Sequence, residues 1–264
     1  MVSIFTLRIG RLGLLLCGLL ACVLTVHAED KECAIVLLHG KWGNPQYIAF
    51  FGRKMEPVCS FKSLEMPWAE RRAYDQPYAA ALADIDAQVK AFRAQGYKKV
   101  LLAGHSFGAN AALAYMATIG DADAVVALAP GHSPALTYER GIGRGAVDKA
   151  RELVAAGKGD ERLEMEDVKQ GKKRSMRMRA DVLWSYFDPD GLGHMPKTAA
   201  GFKKPVPLLW VVGTADPLFA LGQDFAFSKA PANAKSQYLV VNAGHLDTPD
   251  VAAAQVLAWI KNLD

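Results

Sequence analysis

Gly104-His105-Ser106-Phe107-Gly108 is the place where residue types and spacing most clearly specify chemistry. A serine hydroxyl is a weak nucleophile until a neighbouring imidazole accepts its proton, and that imidazole works best when a carboxylate fixes its tautomer. The chain offers candidates for both partners, among them Asp216 in Val211-Val212-Gly213-Thr214-Ala215-Asp216-Pro217 and His245 in Asn242-Ala243-Gly244-His245. Asp188, Asp190 and Asp247 are rival carboxylates. Gly131-His132-Ser133 repeats the first three residue types of the serine motif, but Pro134 and Ala135 follow it, so His132 and Ser133 are expected at the edge of a pocket. His194 has no partner at a metal-ligand spacing, and neither a metal nor an organic cofactor is expected.

These residues need a scaffold that brings loops from distant parts of the chain together. Apolar runs predict strands at 34–38, 61–66, 99–103, 124–128, 206–212 and 237–241, alternating with amphipathic helices such as 77–95, 107–119 and 249–263. Thr248 is placed to cap the last helix, with Pro249 at its first position. Continuous Val, Leu and Ile runs between helices imply an α/β domain with a mostly parallel six-stranded sheet covered on both faces. Ser106 falls between the third strand and the helix after it. The charge-rich interval 135–204 shows no strand pattern and is expected to be a helical lid insertion, with helices at 145–156, 160–169 and 179–187. Its basic segment, 169–177, is expected to be a solvated face rather than an anion-binding surface, since acidic residues precede it.

The 264 residues, 51% of them hydrophobic, suffice for one domain with a substantial core. Arg8 and Arg11, the apolar run 12–26 and Val26-His27-Ala28 have the order of a secretory signal peptide over 1–28, leaving a mature domain at 29–264. The run is shorter than the about 20 residues a bilayer span needs, so no stable membrane span is expected. Leu19-Leu20-Ala21-Cys22 offers the alternative of a lipoprotein anchored through Cys22. Either route leads to a periplasmic or secreted protein. Signal removal leaves 29 of the 31 basic residues against 27 acidic ones, which implies neither nucleic acid nor acidic lipid as a partner. Cys33 and Cys59 then remain as an even pair in an oxidising compartment, with a disulfide as one reading and a buried free thiol at Cys59 as the other.

The succession of strand, Gly-x-Ser-x-Gly turn, helix, then acid, then histidine resembles the α/β-hydrolase superfamily over residues 34–263. The resemblance implies Ser106 as nucleophile, Asp216 as the acid after the penultimate strand and His245 as the base after the last. It implies an oxyanion hole formed by the backbone amides of Phe107 and Lys41, with Trp42 as the alternative, because His39-Gly40-Lys41-Trp42 follows an early strand. His39 is then expected to brace that loop, and His39, Trp42, His105 and His132 to stand around the substrate pocket. Trp42 and Trp68 are equally compatible with core packing. The family's sheet order would place the strands after Cys33 and Cys59 side by side, about 4.8 Å apart, within reach of a disulfide. The two strands that usually precede the first core strand in this superfamily have no counterpart in the sequence. The expected activity is hydrolysis of a carboxylic ester in a small acyl substrate, with thioester or amide cleavage, acyl transfer and a noncatalytic binding module as alternatives.

Overall fold

The computed structural model describes residues 1–2 and 32–263. Apart from its first two residues, the segment read as a signal peptide lies outside these, as does the Cys22 alternative. Chain order is β1 (Cys33–Leu38), α1 (Pro45–Met55), β2 (Ser60–Leu64), α2 (Tyr78–Ala94), β3 (Lys99–His105), α3 (Phe107–Thr118), β4 (Ala124–Leu128), α4 (Pro134–Glu139), α5 (Arg144–Ala155), β5 (Arg162–Lys169), β6 (Lys172–Arg179), α6 (Ala180–Phe187), α7 (Met195–Ala200), β7 (Leu208–Gly213), β8 (Gln237–Val241), α8 (Thr248–Val251) and α9 (Ala253–Lys261).

Six strands form one sheet in the order β2-β1-β3-β4-β7-β8, with every pairing parallel. Alternate residues of a strand face opposite sides, and both sides are buried here. Ala34, Val36 and Leu38 of β1 join a core shared with α2, α3 and the insertion, whereas Cys33, Ile35 and Leu37 join a second core under α1 and α9. The loops after β1, β3, β4, β7 and β8 therefore meet along one edge of the sheet.

The interval 135–204 departs from the all-helical expectation. Helices stand near the places expected at 145–156 and 179–187, but 160–169 is not helical: β5 and β6 form an antiparallel hairpin. The residues alternate in burial, with Met165 and Asp167 inward from β5 and Met176 and Met178 inward from β6. Their outward neighbours carry charge, as in the Lys173–Glu166 pair at 2.7 Å. Gln170 and Gly171, both at positive φ (48° and 76°), make the two-residue turn that matches strand twist. Glu, Lys and Arg favour helix on their own, but here the period of two decides.

The final helix also differs. It is broken at Ala252 into α8 and α9, and Thr248 is its first residue rather than its cap. The Thr248 hydroxyl donates back to the Gly244 carbonyl at 2.8 Å, tying down the loop that carries His245.

Cys33 and Cys59 form a disulfide with a Cα separation of 4.5 Å, at the amino ends of β1 and β2 and away from the loop edge. Closing a chain segment of 26 residues restricts the unfolded ensemble by about 3 kcal/mol. A Cys33→Ser/Cys59→Ser variant is expected to lose roughly that much stability in urea unfolding; a loss under about 1 kcal/mol would contradict this role.

Candidate active site

Ser106 occupies a backbone conformation that side chains other than glycine rarely adopt, φ 57° and ψ −116°, between β3 and α3. Two close approaches hold it there. A Cβ on Gly104 would fall 2.2 Å from the backbone of Gly108, and a Cβ on Gly108 would fall 2.1 Å from the Leu38 carbonyl oxygen of β1. Hydrogen bonds fix the turn from the other side: Ser106 N donates to Leu128 O at 3.0 Å, and Gly131 N donates to Ser106 O at 3.1 Å. Gly131 also leaves space above the hydroxyl, since a Cβ there would lie 2.8 Å from Ser106 Oγ.

The loops after β7 and β8 bring the acid and the imidazole to this hydroxyl. They are stitched together by Thr214 N to Val241 O at 2.9 Å and Ala215 N to Ala243 O at 3.0 Å. Gly213 permits that approach, as a Cβ there would meet the Ala243 carbonyl oxygen at 2.2 Å. His245 Nδ1 donates to Asp216 Oδ2 at 2.6 Å, and Ser106 Oγ donates to His245 Nε2 at 2.9 Å. Asp216 is 5% exposed, and its other oxygen accepts from Leu218 N at 2.8 Å, so the carboxylate is fixed as an acceptor. Among the described residues Asp216 is the carboxylate bonded to His245; the rival Asp190 pairs instead with Lys197 at 2.5 Å.

The loop after β1 lies beside Ser106. His39 is fully buried there: the Met66 amide donates to its Nε2 at 3.1 Å, and its Nδ1 donates to the Gly40 carbonyl at 2.8 Å. It does not line the cavity, unlike Trp42, His105 and His132. Trp42's amide is engaged, donating to Trp68 O at 2.9 Å, which leaves Lys41 and Phe107 as the amide candidates for an oxyanion. Phe107 opens α3, so its N–H precedes the helix's internal hydrogen bonds. Its ring stacks on Trp68 at 4.4 Å and on His132 at 3.6 Å, anchoring the amino end of α3. Trp68 is buried, and its indole N–H donates to His39 O, so it serves packing. Ser133 lines the cavity, and no imidazole bonds its hydroxyl among the described residues.

The alpha/beta hydrolase family model matches residues 35–256. The chain belongs to that family. Solved structures of similar fold include a monoacylglycerol lipase from Paleococcus ferrophilus (TM-score 0.65, 18% identity, covering 88% of this chain and 95% of that one). A thermostable carboxyl esterase from Bacillus coagulans aligns at TM-score 0.64 and 14% identity, covering 89% of this chain and 91% of its own. The thioesterase domain of a curacin biosynthetic pathway aligns at 0.52 and 14%, covering 88% and 92%. At such identities the likeness concerns the fold. Comparison with curated proteins finds no match.

In this hydrolase the elbow opens into a cavity of about 490 Å³. Leu136, Ile142, Met165, Val168, Phe187 and Leu218 give it an apolar lining, and the β5–β6 hairpin forms one wall. The hairpin is fastened to the loop after β1 by a buried ion pair: Lys41 Nζ donates to Asp167 Oδ1 at 2.6 Å and to Val168 O at 3.2 Å. Tyr74 Oη donates to the other Asp167 oxygen at 3.0 Å. Lys41 is 8% exposed and Asp167 2%. Asp167 escaped sequence reasoning because the hairpin did; a carboxylate at an inward position of a period-two strand was the available signal.

Breaking one half of such a pair leaves a buried charge unpaired, at a cost of about 3 kcal/mol. Asp167→Asn is expected to lose about that much in denaturant unfolding, whereas Lys41→Met/Asp167→Leu recovers most of it; equal losses in both would refute the latch.

Burial also lowers the basicity of three histidines: His39 to about 4, His105 to about 3 with help from neighbouring His245, and His132 well below its ordinary value. The unfolded chain then takes up these protons first, so their stabilising effect is complete above about pH 6.5 and is lost as pH falls toward 4. Unfolding free energy is expected to drop by about 1.4 kcal/mol per pH unit for His39 across that window, and for His105 down to about pH 3. A His39→Gln variant should show a shallower slope in pH-dependent unfolding; an unchanged slope would remove His39 from this account.

Proposed function

We propose that the protein is a periplasmic or secreted serine hydrolase that cleaves a carboxylic ester, or a related acyl bond, through an acyl-enzyme. One observation carries the proposal: the unbroken hydrogen-bond chain from Asp216 through His245 to Ser106, set on an elbow of positive φ. In the first step Ser106 Oγ bonds to the substrate carbonyl carbon while His245 Nε2 takes the hydroxyl proton. Asp216 holds the imidazolium, and the amides of Phe107 and Lys41 receive the negative oxygen. The carbon–oxygen bond to the alcohol then breaks, and the imidazolium returns its proton to the leaving oxygen. In the second step His245 takes a proton from water as its oxygen bonds to the acyl carbon; the bond from that carbon to Ser106 Oγ then breaks, the imidazolium returns its proton to Oγ, and the acid is released.

Structural neighbours that include a lipase, a carboxyl esterase and a thioesterase support acyl chemistry. A cavity of about 490 Å³ with mainly apolar walls suits a small or medium acyl ester. Export is supported by the order of residues 1–28 and by the Cys33–Cys59 disulfide. Among the described residues no helix is long and apolar enough to cross a membrane.

Turnover of a p-nitrophenyl ester series from acetate to long acyl chains tests this reading. The protein is expected to hydrolyse the shorter members, with kcat falling about 10⁴-fold in Asp216→Asn and about 10⁶-fold in Ser106→Ala. Ser106→Ala with undiminished turnover would rule out this nucleophile.

A further inference from the structure

The apolar cavity beside Ser106 has an uneven charge budget. Five charged residues line it: Lys41, Arg140, Lys169, Asp167 and Asp216. Both carboxylates are committed, Asp167 to Lys41 and Asp216 to His245. Arg140 and Lys169 have no carboxylate within ion-pair distance among the described residues, although cations elsewhere on the insertion do, such as Lys173 on Glu166 and Arg174 on Glu70. Lys169 is only partly exposed, at the end of β5 beside the hairpin turn.

Its charge reaches the site. Burial lowers the basicity of Lys169, Lys172 and Lys41 lower it further, and Glu70 partly offsets them. The same ammonium disfavours protonation of His39 and His105 next to the elbow. A partly desolvated cation in an apolar-walled cavity gains most from an anionic partner that arrives with a ligand. Arg140, at the end of α4, lines the same cavity and adds a second donor group.

We propose that this cavity selects an acyl ester bearing a carboxylate or other anionic group away from the scissile bond, held by Lys169 and Arg140. The proposal rests on Ser106 acting as the nucleophile. It gives the hairpin a role in specificity, because Met165 and Val168 touch the apolar part of the substrate while Lys169 takes its charge. Most of the basic segment stays on the solvated face, and Lys169 leaves it for the cavity.

Two matched ester pairs read this out. Mono-p-nitrophenyl glutarate against its methyl ester places the anion on the acyl side, and 4-acetoxybenzoate against its methyl ester places it on the leaving group. The quantity measured is the ratio of kcat/KM for the anionic ester to that for its neutral partner, in wild type, Lys169→Met, Arg140→Met, Lys169→Arg and Lys172→Met. The expected result is a ratio that falls about fivefold or more in Lys169→Met for at least one pair, falls less in the more exposed Arg140→Met and is largely restored in Lys169→Arg. Lys172→Met, which removes a nearby charge outside the cavity, is expected to keep the wild-type ratio. A ratio unmoved by Lys169→Met in both pairs overturns the proposal, as does an equal fall in Lys172→Met. A protein that turns over no ester contradicts the acyl-transfer reading instead. Glutarate binding by calorimetry then decides this one: weaker binding in Lys169→Met upholds it, and equal binding overturns it.

Discussion

Everything at the site follows from how closely the amino end of α3 approaches the carboxyl end of β1. Leu38 and Gly104 are partners across neighbouring strands, and Gly108 folds back onto the Leu38 carbonyl with no room for a side chain. The chain can turn from strand to helix in so short a distance only if the residue at the apex takes positive φ, and Ser106 does. That conformation lifts the hydroxyl out of the sheet and brings the first amide of α3 beside the loop after β1. The parallel sheet completes the arrangement, because β7 and β8 end at the same edge with Asp216 and His245 in their loops.

The surrounding structure compensates for this strain with polar contacts that are themselves buried. His39 bonds at both ring nitrogens in its neutral form, so protonation would set an N–H against the Met66 amide. His105 donates to the His245 carbonyl, while its Nδ1 is buried with no partner among the described residues. The Lys41–Asp167 pair is a different device. Its attraction is offset by the desolvation of both charges, so its effect is chiefly to fix the hairpin against the loop that lies beside Ser106. The hairpin wall of the cavity and the candidate oxyanion loop are thereby mechanically joined.

Sheet and elbow were legible in the sequence because each was specified twice. Continuous apolar runs announced buried parallel strands, and Gly104 and Gly108 flanking Ser106 fell at the junction of a strand and a helix. The resemblance to α/β-hydrolases implied Asp216 and His245 by their places after the last two strands, and the geometry brings both to Ser106. The hairpin was obscured because its residues favour helix locally and its inward positions include a carboxylate, which hides the period of two. Asp167 makes sense only opposite Lys41, 126 positions away. Likewise Thr248 resembles a helix cap in sequence, yet its hydroxyl is drawn to Gly244 by the need to close the histidine loop.

The most direct test of the central claim is to react the purified protein with a fluorophosphonate and locate the adduct by peptide mass spectrometry. The account predicts one adduct, on Ser106, formed quickly in the native protein and abolished by His245→Ala or by prior unfolding. An adduct on Ser133 or another serine, or none on a demonstrably folded protein, would contradict the claim that this elbow, histidine and carboxylate form a working nucleophile.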